Sequence, residues 1–125
     1  MFSETSMKPL FVQIYEWIED EIINGNLKEG DQVPSTNQFA AQYRINPATA
    51  GKGINVLVEE NILFKKRGIG MFVAEGACEV IRTKRKKQFC NEYIRPMVEE
   101  ARKLGLQESE IENMIRDGFN KGDLA

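Results

Sequence analysis

Leu63-Phe64-Lys65-Lys66-Arg67-Gly68-Ile69-Gly70-Met71-Phe72-Val73 reads as a β-hairpin with a basic tip. Residues 62–66 and 71–74 alternate or run apolar as strands do, and Gly68 and Gly70 can take the positive φ that a tight connection needs. What precedes this stretch gives it meaning. Asn46-Pro47 opens a helix, an asparagine cap followed by a proline where no N–H is required. That helix runs to about Glu60, with Ile54, Leu57 and Val58 facing inward, and Asn61 ends it. Before it, Ser35 caps a shorter helix and Gln38, three residues on, completes a capping box. Phe39, Ala40 and Tyr43 are its inward residues, and Arg44-Ile45 makes the turn. Helix, turn, helix and hairpin in this order make a helix-turn-helix followed by a wing.

Working outward, Leu10, Ile14, Trp17, Ile18, Glu21 and Ile22 recur at helical spacing, with Gln13, Glu16, Glu19 and Asp20 on the opposite face. Asn24-Gly25 stops this first helix, and Glu29-Gly30-Asp31 makes a second turn. Met1 to Lys8 lacks periodicity and is expected to be loosely held. Trp17, Phe39, Tyr43 and Phe72 are expected in the core. On the far side, Gly76 marks a boundary, and a long helix begins at about Glu79. Cys90, Ile94, Met97, Ala101 and Leu104 step by four and three along it, an a/d seam too short for a coiled coil. Pro96 lies inside this seam and predicts a kink near residues 92–96. Gly105 ends the helix, Leu106 is placed to pack back, and a last helix from about Gln107 to Asn120 puts Ile111, Met114, Ile115 and Phe119 on one side.

The fold class is therefore mainly α with a small β-hairpin. Residues 1–75 are expected to form a winged helix-turn-helix and residues 76–125 a helical dimerisation region. Two short amphipathic helices do not readily hide both apolar faces against each other, and a symmetric homodimer is the economical solution. The predicted dimer interface is Cys90, Ile94, Met97, Ala101, Leu104, Ile111, Met114, Ile115 and Phe119. So short a tail is not expected to hold a small-molecule pocket of ~300 Å³ within one subunit. An unknown effector at the dimer interface, or between tail and head, is left open.

Composition narrows the function classes. The chain has 125 residues, is 42% hydrophobic and 29% charged, and contains no histidine. Histidine acid–base chemistry is excluded, and a zinc site would need unusual ligands. Neither a phosphate-cradling loop nor paired carboxylates suggest an enzyme. Cys78 and Cys90 fit neither a disulfide framework nor a paired-thiol motif; Cys90 reads as a helix-core residue. No membrane span or export signal is visible, which makes the cytoplasm the expected location, and no cofactor is implied.

Net charge is −2, but it is unevenly spread. Residues 1–43 hold two lysines against seven acids, a net −5, whereas residues 44–73 hold five basic residues against two acids, a net +3. Since charges beyond ~10 Å are screened, the local excess governs attraction to phosphate. The candidate DNA-binding set is Ser35, Thr36, Asn37, Asn46, Ala48, Thr49, Lys52, Lys65, Lys66, Arg67, Gly68 and Gly70. Thr49 and Lys52 are the main candidates for base or phosphate contacts; Lys65, Lys66 and Arg67 are expected to contact phosphate, with Arg67 in or near the minor groove. Each has a plainer reading: Asn46 as a cap, Lys52 as a solvated lysine, the wing lysines as guards of an edge strand. Arg82, Lys84, Arg85, Lys86 and Lys87 cannot share one helix face, and read as a solvated linker or as support for flanking phosphate. Gly51 and Gly53 together cost the third helix roughly 2 kcal/mol of propensity. Close backbone approach to DNA or to the first helix, or local looseness tightened on binding, would account for them.

Pro9-Leu10 with Gln13-Ile14, Gly25 through Asp31, Pro34-Ser35, Asn46-Pro47 with Thr49, and Lys66 through Gly70 with Phe72-Val73 resemble the GntR family of bacterial transcription regulators. The resemblance spans half the chain, and the short helical tail with Leu104-Gly105 is similar to the YtrA-type subgroup. Asn37 stands where the family commonly has arginine, Asn46-Pro47 where it often has Ser-Arg, and Met71 where it usually has threonine. The resemblance implies a dimeric repressor bound to a pseudo-palindromic double-stranded DNA operator. The alternative left open is a winged-helix module that binds protein instead of DNA.

Overall fold

The computed structural model describes residues 2–121. Met1 and residues 122–125, which the two expected regions included, lie outside the described residues. The chain divides into two compact units, one ending at Lys84 and the other beginning at Arg85.

The first unit holds α1 (Leu10–Ile23), β1 (Gln32–Val33), α2 (Thr36–Tyr43), α3 (Pro47–Glu59), β2 (Leu63–Lys66), β3 (Gly70–Val73) and the start of α4 (Ala77–Phe89). Its core gathers Ile14, Ile18 and Ile22 from α1, Phe39 and Ala40 from α2, and Ala50, Ile54 and Leu57 from α3. Ile62, Leu63 and Val73 close it from the sheet side. The caps follow the local sequence. Ser35 Oγ accepts from the Gln38 N–H at 3.1 Å while Gln38 Oε1 accepts from the Ser35 N–H at 2.9 Å. Asn46 Oδ1 accepts from the Ala48 N–H at 2.8 Å, with Pro47 in the first turn of α3.

The hairpin is the larger part of a three-stranded antiparallel sheet of order β1-β3-β2. Leu63 faces Val73 and Phe64 faces Phe72 across β2 and β3, while Gln32 and Val33 pair with Phe72 and Met71. The two-residue β1 has no periodic signal of its own. The turn just before it sets it against β3, through Gly30 N–H to Val73 C=O (2.8 Å) and Val73 N–H to Asp31 C=O (2.9 Å).

Several expectations are corrected in this unit. The boundary falls after Lys84, not at Gly76, because Ala77 and Ile81 are fully buried in the same core. Gly76 is held as well, its N–H donating to Glu29 Oε1 at 2.9 Å. The segment before α1, expected to be loosely held, is anchored at both ends, at Phe2-Ser3 and at Lys8, with Met7 fully exposed between them. Phe2 packs edge-on to Tyr43 at 5.4 Å and against Phe39 and Trp17, and Gln13 clamps the segment by donating to the Ser3 carbonyl and accepting from the Ser3 N–H. Phe72 is half-exposed on the sheet, stacked on Phe64. Glu19, expected on the polar face of α1, is buried at 1% exposure. Its carboxylate meets Lys84 Nζ, which also donates to Glu60 Oε1 at 2.8 Å and lies 4.9 Å from the Tyr15 ring centre. Lys84 is therefore no part of a solvated run.

The second unit contains the end of α4, a π-helical turn at Cys90–Ile94, α5 (Arg95–Leu104) and α6 (Glu108–Lys121). The distortion expected near Pro96 takes the form of this π turn. Pro96 cannot donate to Glu92, and the chain widens so that the Arg95 N–H reaches the Cys90 carbonyl five residues back. Gly105 turns left-handed (φ +69°), and the Leu106 N–H closes onto the Ala101 carbonyl at 2.9 Å. Cys90 is exposed instead of core. Ile94, Met97, Ala101, Leu106, Ile111 and Ile115 line an open groove of about 510 Å³.

Candidate nucleic-acid interface

Helix α3 turns Ala50, Gly53, Ile54 and Leu57 into the core, which leaves Ala48, Gly51, Lys52, Asn55 and Glu59 along one open side. Ala48 and Lys52 are exposed, and Thr49 is half-buried at the edge of this face. Asn55 follows Lys52 by three residues and Gly51 by four, so it continues the same face. The sequence reading passed over it; the helical period running on from Ala48 was the signal. An exposed asparagine there can offer paired donor and acceptor atoms to a base edge.

Thr36 sits in the first turn of α2, with its Cγ2 3.4 Å from where a Cβ on Gly51 would lie. Ser35 and Asn37 are exposed beside it. Asn46 is exposed, but its side chain is already used as the α3 cap. A Cβ on Gly51 would meet Thr36 Cγ2 at ordinary van der Waals distance and nothing closer, so Gly51→Ala should raise stability by up to ~1 kcal/mol through helix propensity. Calorimetric melting checks this; an unchanged or lower Tm would contradict it.

Gly53 has a different reason for being glycine. A Cβ there would stand 2.7 Å from the Phe11 carbonyl oxygen and 3.0 Å from Ile14 Cγ2. Of the explanations left open, close approach to α1 is the one the geometry supports at this position. Lys52 also reaches back to α1, with its Nζ 4.1 Å from the Phe11 ring centre. Such a contact restricts the lysine at a cost of only ~0.5–1 kcal/mol if it must leave for phosphate.

In the wing, the Ile69 N–H bonds to the Lys66 carbonyl at 2.9 Å, with Gly68 at φ +76°. Lys65, Lys66, Arg67 and Gly68 are exposed. Lys66 Nζ lies 4.7 Å from the Phe72 ring centre and 5.8 Å from that of Phe64, so its ammonium rests over the stacked pair. Gly70 is half-buried at φ +146°, and Gln32 reaches over it to donate to the Ile69 carbonyl at 3.2 Å. Ile69 is 65% exposed at the tip, a residue to which the sequence reading gave no role. The positive excess over residues 44–73 is sharpened by the fold, since one of its two acids, Glu60, is engaged by Lys84.

The two main clusters thus stand on one unit: the open face of α3 and the basic tip of the wing. The family model for bacterial regulatory proteins of the gntR family matches residues 10–73, which contain both. The chain belongs to the GntR family. It is similar over nearly its full length to the HTH-type transcriptional regulator YhcF of Bacillus subtilis, at 30% identity and 94% of each chain. The HTH-type transcriptional repressor YtrA of Bacillus subtilis shares 25% identity over 90% of this chain and 85% of its own. Among solved structures, a GntR-family regulator from Bacteroides thetaiotaomicron superposes with a TM-score of 0.80 at 30% identity, covering 92% of this chain and all of its own. The DNA-binding domain of AraR in complex with operator ORX1 is similar at 28% identity and a TM-score of 0.55, over 59% of this chain and 93% of its own.

This GntR-family member is thus a DNA-binding transcription regulator with a winged helix-turn-helix, in a family of regulators and not of enzymes. Among the described residues no helix is long and apolar enough to cross a membrane.

Proposed function

We propose that this GntR-family regulator is a cytoplasmic, homodimeric repressor that reads a pseudo-palindromic operator, one α3 per half-site. The observation that carries the reading is the open α3 face of Ala48, Gly51, Lys52 and Asn55 on the same unit as the cationic wing Lys65-Lys66-Arg67. A helix presented this way enters the major groove, and wing cations take phosphate or a narrow minor groove. Repression is supported by the relative YtrA, and operator binding by the AraR complex.

Pairing is supported by the second unit. Leu104, Met114, Ile115 and Phe119 remain 42–87% exposed within one chain, whereas Ala101 is already buried at 6% and Ile94, Met97 and Ile111 are half-buried. The exposed set, with Cys90, is the surface a second copy would cover; Ala101 shapes the groove beneath it. Burying such side chains contributes roughly 1.5–3 kcal/mol each. The open groove between α5 and α6 is read as part of this pairing surface, and no effector is assigned.

Footprinting on the promoter of the chain's own gene tests the proposal. Protection of two inverted half-sites about one helical turn (~10 bp) or a multiple apart supports it; protection without dyad symmetry, or none on any promoter fragment, contradicts it. For the wing, Lys66→Ala should flatten the log–log salt dependence of binding by ~0.9 per protomer. An unchanged slope would remove Lys66 from the phosphate contacts.

A further inference from the structure

Eight positions among the described residues have positive φ: six are glycine, one is Asn61, and one is Arg44 (φ +55°). Asparagine visits the left-handed region readily; arginine does so only at a cost, because its Cβ crowds the carbonyl oxygen. The fold demands this conformation at residue 44. The Arg44 N–H and the Ile45 N–H both return to the Ala40 carbonyl, the latter at 2.9 Å, which ends α2 and turns the chain toward α3. Glycine would meet the demand without strain. Strain kept at one point points to work done by the side chain that bears it.

The side chain is well placed for such work. Arg44 is exposed in the turn of the helix-turn-helix, two residues before the α3 cap. It lines a cleft of about 520 Å³ together with Glu4, Gln42, Asn46 and Thr49. No hydrogen bond or ion pair joins its guanidinium to any described residue, and Glu4, which shares the cleft, is not within ion-pair distance. The positions around the reading helix are otherwise poor in cations: Asn37, Pro47 and Gly51 carry none, and Lys52 rests on Phe11.

We infer that Arg44 is a DNA-contacting residue that clamps a backbone phosphate beside the α3 N-terminus, and that the strain of the turn is tolerated for that contact. Its planar guanidinium offers two parallel donors to a phosphate, which a lysine cannot match. The inference rests on the operator-binding reading above and adds a contact to that same site.

The test uses the full chain, an operator duplex taken from the footprint and a random-sequence duplex of equal length. Arg44→Gly should move stability and affinity in opposite directions, which a merely structural residue does not do. Tm rises by about 3 °C as the left-handed strain is relieved. Affinity falls about tenfold on both duplexes at ~100 mM salt, and the log–log salt slope drops by ~0.9 per protomer. Arg44→Asn, which tolerates the conformation, should lose affinity equally; Arg44→Lys should keep the slope and recover only part of the affinity. Unchanged affinity and slope in Arg44→Gly, with Lys66→Ala measured alongside and impaired, would overturn this inference alone. Loss confined to the operator duplex would overturn the phosphate assignment in favour of base reading. If the wild-type chain binds neither duplex, the operator-binding reading falls, and this inference with it.

Discussion

Lys84→Ala lowers the unfolding free energy by about 3 kcal/mol, measured by urea denaturation at pH 7. Lys84 Nζ joins the buried Glu19 of α1 to Glu60 at the end of α3. Removing it leaves the Glu19 carboxylate in the core without that ammonium, a change that costs ~3–5 kcal/mol for buried pairs. The lower end applies here because the Lys84 side chain is still 18% exposed. Replacing both partners by apolar residues of similar shape, Glu19→Leu with Lys84→Met, should recover most of the loss. Additive single losses in the double variant would show that the pair is not coupled.

The pair also gives stability a dependence on alkaline pH. Burial pulls the Lys84 ammonium down, but the carboxylates of Glu19 and Glu60 outweigh it and its pKa is raised overall. A raised folded-state value stabilises fully below the unfolded lysine pKa of ~10.4 and loses that contribution as pH climbs through the folded value. Tyr15 is raised too, by burial, and titrates with the same sign. The steeper alkaline loss in wild type than in Lys84→Met is therefore the readout, and parallel curves would contradict the assignment.

Gly53→Ala is expected to destabilise by about 2 kcal/mol, although alanine is the better helix former. The propensity gain is ~1 kcal/mol, whereas overpacking a tight contact typically costs 1–3 kcal/mol or more. The larger cost applies because the nearest atom, 2.7 Å from the new Cβ, is the Phe11 carbonyl oxygen, part of the α1 backbone. Main chain cannot step aside as a flexible side chain can. Relief requires α1 and α3 to separate, which loosens Ile14 and Ile54 at the centre of the core. A lower urea midpoint with an unchanged m-value is the expected result; a midpoint raised as in Gly51→Ala would refute the close approach.

How much of this was legible in the sequence depends on how local each signal is. The Ser35–Gln38 box and the Asn46-Pro47 cap are written within four residues, and the structure places both where the pattern puts them. The hairpin is legible for the same reason. The Glu19–Lys84 pair is not, because its members lie far apart in the chain and each sits among other charged residues that are only partly buried or exposed. Nor is the continuation of the core through Ala77 and Ile81: a single glycine before a helix looks the same whether it ends a unit or turns within one. Phe2 fills an aromatic box built by α1 and α2 without any periodicity of its own. At the interface, charge and cap chemistry pointed to α3 and the wing, while uncharged Asn55 is marked only by the helical period that continues from Ala48 and Lys52.

Fluorescence anisotropy of the intact chain on its footprinted operator and on a scrambled duplex, at ~100 mM salt, tests the central claim most directly. The account predicts a Kd well below ~10⁻⁶ M for the operator, the tight end of non-specific binding, and a markedly weaker value for the scrambled duplex. Equal affinity for the two duplexes would contradict it.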